Sequence, residues 1–126
     1  MSNDTVKLDY FEHVDGERRK HELVFSSSLI KRPYAPESLF VIRVEGQSME
    51  PLIWHDALVV SDLSQKEFEN GLIFLVYKDN RMWIKKAAVI EGGEYFVSIN
   101  EGYEHLVYPR AEVRIVAKAL LTFTGL

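Results

Sequence analysis

Val44-Glu45-Gly46-Gln47-Ser48-Met49-Glu50-Pro51 sets one serine in a turn between two apolar, strand-like runs. Gly46 permits a backbone path that a Cβ would obstruct. Pro51 fixes the chain three positions after the serine and resists continuation of a strand. Such a turn exposes a hydroxyl and aims adjacent backbone N–H groups at one spot. The amides of Gln47 and Ser48 are therefore candidates for an oxyanion hole. A serine in a turn is ordinary by itself. It gains meaning from Lys85, which follows it by 37 positions. A serine hydroxyl is a poor nucleophile until a base takes its proton, and a neutral lysine amine can take it.

Lys85 and Lys86 lie in an apolar run with Met82, Trp83, Ile84, Ala87 and Ala88. In a strand, Trp83, Lys85 and Ala87 share one face, and Ile84 and Lys86 share the other. One lysine therefore points to the apolar side. A buried lysine loses the hydration of its charged form, so its pKa falls from about 10.4 toward neutrality. The competing reading is a pair of surface lysines that protects an edge strand from aggregation.

Working outward, the chain reads as short strands separated by turn signals. Strands are expected over 39–44, 57–61, 71–77, 81–85, 94–99 and 113–122, rich in β-branched and aromatic residues. Lys78-Asp79-Asn80 reads as a hairpin turn, and Gly92-Gly93 as another. The near-continuous apolar run 113–122 implies a strand covered on both faces, or an edge covered by a partner subunit. Residues 26–30 and 65–68 are each expected to make one helical turn. Residues 1–22 read as an arm with one strand, in which Val6, Leu8 and Tyr10 alternate. The mixed-sign run 17–22 reads as solvated loop; a basic anchor for a partner is the alternative. Residues 23–126 form the domain proper. The fold class expected is mostly β, a folded sheet or partly open barrel with little helix.

A length of 126 residues fits one domain. A chain 47% hydrophobic and 27% charged has an ordinary globular balance. No apolar run reaches the roughly 18–20 residues of a membrane span, and the N-terminus shows no secretory signal. The absence of cysteine excludes disulfides and thiolate metal sites and suits a cytoplasmic location. A net charge of −4 argues against direct nucleic-acid binding by this segment. His13, His21 and His105 show no metal spacing, so neither metal nor cofactor is expected.

Residues 44–51 resemble the catalytic-serine motif of the LexA/phage CI repressor/UmuD family of self-cleaving peptidases, and Ile84-Lys85-Lys86 resembles its lysine motif at matching distance. Residues 36–44 resemble the strand leading into the serine in phage-type repressors. Asp56, Leu58 to Val60 and Asp62 match the strand that follows it. The resemblance spans roughly residues 23–120. It implies a LexA C-terminal-like fold, with Ser48 as nucleophile, Lys85 as general base, and dimerisation through this region. It also implies that DNA is contacted only through an N-terminal helix-turn-helix, which is not among these residues, and that a RecA filament is a possible activator.

Two departures stand out. Asp15-Gly16 occupies about the position of the family's Ala-Gly or Cys-Gly cleavage bond, with an aspartate on the acyl side. A carboxylate in an apolar cleft costs several kcal/mol unless paired, and it would favour the charged form of Lys85. Cleavage there is expected to be slow or absent. His55-Asp56 replaces the family's usual Gly-Asp. Histidine is expected to take the positive φ that glycine implies. A Ser48–His55–Asp56 triad is disfavoured, because adjacent residues in a turn rarely point the same way.

Three functions follow. The first is the dimerising, regulatory domain of a LexA/CI-like transcriptional repressor, able in principle to cut itself. The second is a non-catalytic dimerisation or sensing module of the same fold. The third is a UmuD-like polymerase accessory protein, which the phage-repressor character of residues 36–51 weighs against. A signal peptidase shares the chemistry but needs a membrane anchor not seen here.

Overall fold

A computed structural model describes residues 4–103 and 106–126. The order of elements is β1 (Thr5–Val14), β2 (Glu17–Ser26), β3 (Leu39–Arg43), β4 (Leu58–Asp62), β5 (Ile73–Lys78), β6 (Arg81–Ile90), β7 (Gly93–Val97), β8 (Tyr108–Pro109) and β9 (Arg114–Phe123). Four single 3₁₀ turns are the helical content of the described residues. None is long and apolar enough to cross a membrane.

The first two strands form a separate antiparallel ribbon in the register Val14↔Glu17. Its turn is Asp15-Gly16, with φ of 52° and 79°. Two consecutive positive φ values are what a two-residue hairpin turn requires, and Asp-Gly supplies them at low cost. The run 17–22, expected as solvated loop, is instead the first half of β2. Ladder hydrogen bonds to β1 hold it although Glu17 to Lys20 remain exposed. A ribbon open to water on both faces needs no apolar alternation, so the charge run conceals the strand. Arg18 lies 3.8 Å over the Phe11 ring, and Lys20 pairs with Asp9 at 3.3 Å. Beyond residue 22 the strand continues and turns apolar. Val6, Leu8, Tyr10, Leu23 and Phe25 pack against Leu39, Val41 and Val60 of the main sheet.

The main sheet has the order β3-β4-β9-β5-β6-β7-β8, with every listed pairing antiparallel. It does not close into a barrel, because β3 and β8 remain its edges. β9 is central, between β4 and β5. Register shifts at Val60/Ser61 and Leu75/Val76 leave β9 with an extra residue opposite each neighbour. Bulges of this kind bend a strand and increase its twist. β9 thereby contributes to three apolar clusters, through Ala117, Leu121 and Ile115 respectively. Its continuous apolar character is satisfied within the chain rather than at an uncovered edge.

Turn chemistry matches the sequence with small shifts. Asp79-Asn80, at φ 54° and 61°, joins β5 to β6. Glu91-Gly92, at φ 49° and 82°, joins β6 to β7, one residue earlier than expected. Ser26 caps the expected turn at Ser27–Leu29, its Oγ accepting from Ser28 N at 3.3 Å. No helical turn forms over 65–68. Gln65 Nε2 there donates to Asp62 Oδ2 at 2.9 Å and Pro33 O at 3.0 Å, which holds the segment extended along the body of the fold.

Candidate active site

Ser48 lies in the loop 46–55 between β3 and β4. The loop is closed by a short ladder, in which Val44 N donates to Ala57 O and Asp56 N donates to Val44 O, both at 2.9 Å. Gly46 then leaves the ladder with φ 95°, a conformation that disfavours any side chain. Met49 and Ile53 anchor the loop from beneath, in the cluster with Val44, Val59, Leu75 and Ile84. Ser48 is held half-buried above that cluster.

Lys85 stands in the middle of β6 at 0% exposure, paired across from Phe74. Its Nζ lies 3.3 Å from Ser48 Oγ and 2.7 Å from Ser98 Oγ. Burial pushes its amine down from 10.5 to about 8. A measurable neutral fraction therefore exists near pH 7, and the neutral amine faces the Ser48 hydroxyl. Lys86, one residue on, is only half-buried and points the other way. Of the two lysines that strand periodicity left open, packing selects Lys85.

The segment just after β7 fixes the serine from the far side. Ile99 N and Asn100 N both donate to Ser48 O, at 3.0 and 2.9 Å. Asn100 Nδ2 donates to Gln47 O at 2.8 Å. With these carbonyls turned toward residues 99–100, no hydrogen bond among the described residues occupies the N–H of Gln47 or Ser48. Ser98 and Asn100 were missed in the sequence. They are ordinary polar residues after a strand, 13 positions from Lys85 and 53 from Gln47, and no local pattern marks them.

A cleft of about 450 Å³ opens beside Ser48, walled by Ile42, Leu75, Met82, Trp83, Tyr103 and Leu106 among others. Its apolar walls lower the local dielectric, which strengthens any charge interaction inside. Asp15 and Gly16 do not line this cleft. They sit at the tip of the ribbon, whose connection to the serine loop runs through Arg43. That guanidinium pairs with Glu12 and donates to Asp56 O at 2.6 Å.

The positive φ expected at His55 falls on Asp56 instead, at 69°. His55 uses its ring to accept from Gly46 N at 2.9 Å, and the ring makes no hydrogen bond to Ser48. His13 and His21 fall on the ribbon, and His105 lies outside the described residues. Asp62, at the end of β4, is fully buried. Burial raises its carboxyl, but hydrogen bonds from Gln65, Ser64 and Ala35 outweigh that and hold it below the usual range. It ties the loop 33–36 to the sheet and stands apart from the cleft.

A bent, open antiparallel sheet thus carries a serine on a glycine-started loop, with a buried lysine within hydrogen-bond reach. These features define a small β domain of serine–lysine type. The Peptidase S24-like family model matches residues 9–120, and the chain belongs to that LexA/UmuD/phage CI-like family. No curated protein matches the chain.

Proposed function

We propose that this chain is the regulatory, dimerising domain of a LexA/CI-like transcriptional repressor, with a Ser48–Lys85 dyad able to cut its own polypeptide. The observation that carries the reading is the fully buried Lys85 amine, pushed to about 8, at 3.3 Å from the Ser48 hydroxyl. A surface lysine in that place would be almost wholly protonated at neutral pH and could not act as base. DNA contact is assigned to a helix-turn-helix outside these residues. A RecA-type filament is the candidate activator.

In the proposed reaction Ser48 Oγ attacks the scissile carbonyl carbon as its proton passes to Lys85 Nζ. The carbonyl oxygen becomes an oxyanion, held by the N–H groups of Gln47 and Ser48. Collapse breaks the C–N bond, and the Lys85 ammonium returns its proton to the leaving amine. Water then attacks the acyl-serine with Lys85 again as base, releasing the acid and restoring Ser48. Ser98 keeps Nζ in line with Ser48 throughout. Self-cutting suits so small a site, because tethering supplies the effective concentration that a free substrate would lack.

A second reading, a non-catalytic dimerisation module, is favoured by one observation. The Asp15-Gly16 bond lies in a tight turn outside the cleft and carries a carboxylate. Intact mass after incubation at pH 7, 8 and 9.5 separates the two, with Ser48→Ala and Lys85→Ala beside wild type. The peptidase reading expects wild type alone to cut, with a rate rising about tenfold per pH unit to pH 8 and flat above pH 9. Three indefinitely intact proteins would leave only the second reading. Sedimentation equilibrium tests the dimer, and a monomer at high micromolar concentration would remove it.

A further inference from the structure

We infer that His55 is a positioning residue for the serine loop, and that its protonation releases the loop at acid pH. The inference rests on the proposed role of Ser48 only for its catalytic consequence; its structural part stands alone. The ladder between residues 44 and 57 ends where the backbone diverges at Gly46, and there the His55 ring replaces the missing carbonyl. Its Nδ1 accepts from Gly46 N at 2.9 Å. That bond needs a lone pair on Nδ1, so the ring proton resides on Nε2, 3.5 Å from Asp56 Oδ1. The His55 backbone N–H meanwhile donates to Glu50 Oε2 at 3.3 Å, so one residue clips both halves of the loop that carries Ser48.

Protonation changes the ring from acceptor to donor at Nδ1. The Gly46 N–H then faces another N–H, and the rung turns from attractive to repulsive. The charged groups facing the ring decide where it goes. Asp56 at Nε2 and Glu50 at the loop's centre draw the imidazolium toward themselves. Arg43, bound to the Asp56 carbonyl and paired with Glu12, is the cation on that side. Glu45, next to Gly46, adds a third carboxylate nearby in sequence. The charged ring is thus drawn off Gly46 toward Asp56 and Glu50. Histidine changes charge between about pH 5 and 8, so the release falls in that window. It acts in the same direction as protonation of Lys85: both close the site as pH falls.

The test follows the Gly46 amide by ¹H–¹⁵N NMR from pH 5 to 8.5 in a Ser48→Ala background, where cutting cannot interfere. The expected result is a Gly46 proton that loses its hydrogen-bonded shift and exchanges faster at acid pH, with the midpoint of the His55 ring signals. His55→Asn places an amide oxygen near the Nδ1 position without a titrating proton, so it should keep the basic-form Gly46 signal throughout. His55→Ala should show the acid-form signal throughout. A Gly46 signal indifferent to the His55 titration, or one that still titrates in His55→Asn, overturns the inference. In the Ser48 protein, self-cleavage should fall with two ionisations in wild type and one in His55→Asn, and His55→Ala should be slower by roughly tenfold at pH 8. Failure of every protein to cut counts against the dyad, and the amide titration still decides the role of His55.

Discussion

Replacing Lys85 with methionine should make the fold more stable at neutral pH while removing the base. Lys85 is fully buried, and burial pushes its amine from 10.5 to about 8. At about 1.36 kcal/mol per pH unit, that difference is a penalty on the charged form of roughly 3 kcal/mol. In the unfolded chain the amine titrates near 10.4. Below pH 8 both states carry the proton, and the folded state bears the whole penalty. Between pH 8 and about 10.5 the unfolded chain binds a proton that the folded chain does not, so stability rises by about 1.4 kcal/mol per pH unit. Above that range the penalty is gone. Methionine keeps an unbranched stem without the charge. The hydroxyls of Ser48 and Ser98 lose a partner, which costs about 1 kcal/mol. The net gain at pH 7 is about 2 kcal/mol, or about 8 °C in Tm for a chain of this length. Urea and thermal unfolding of both proteins at pH 7, 8.5 and 10 would measure it, since other titrations cancel in the comparison. The advantage of Lys85→Met should shrink above pH 8 and reverse by pH 10. A variant less stable at pH 7, or a difference flat from pH 7 to 10, would refute the argument that burial alone creates the base.

Other outcomes follow from the same geometry. Ser98→Ala should leave the melting temperature within a few degrees but slow self-cleavage by about tenfold, because Lys85 Nζ loses its 2.7 Å partner; unchanged kinetics would dismiss its role. Asp62→Ala should cost about 3 kcal/mol in urea unfolding at pH 7, since it strands donors from Ala35, Ser64 and Gln65. Because the Asp62 carboxyl is held below its usual range, its contribution is present above about pH 4 and is lost as pH falls through its folded value. Asp15→Asn keeps a residue tolerant of the φ of 52° and removes the charge. If the carboxylate is what obstructs cleavage, intact mass at pH 9 should show cutting at least tenfold faster than wild type; equal rates would shift the obstacle to the turn itself.

The sequence by itself determined the elements that depend on neighbours in the chain. Alternating and continuous apolar runs gave most strands of the main sheet, because strand formation needs only β-branched and aromatic residues bounded by turns. Asp79-Asn80 marked its turn through residues that tolerate positive φ. Ser48 and Lys85 were legible because their motifs are local, although they meet only across the fold. The Asp15-Gly16 turn carried an equally local signal, but the charges after it masked the strand.

What only the tertiary structure decided are the facts that depend on residues far apart. Trp83, Lys85 and Ala87 face one side, Ile84 and Lys86 the other, and both sides are apolar enough for either lysine to be the buried one. Packing of β6 between β5 and β7 made that choice. The central position of β9 likewise rests on long-range pairing, since a run of apolar residues reads the same in the middle of a sheet as at an edge covered by a partner. Ser98, Asn100 and His55 have no periodicity to betray them. Each matters through one hydrogen bond to a residue brought close by the fold: Lys85, Gln47 and Gly46. A hydrogen bond is set by distance and angle, and a single polar residue in a loop carries neither until the chain around it has folded.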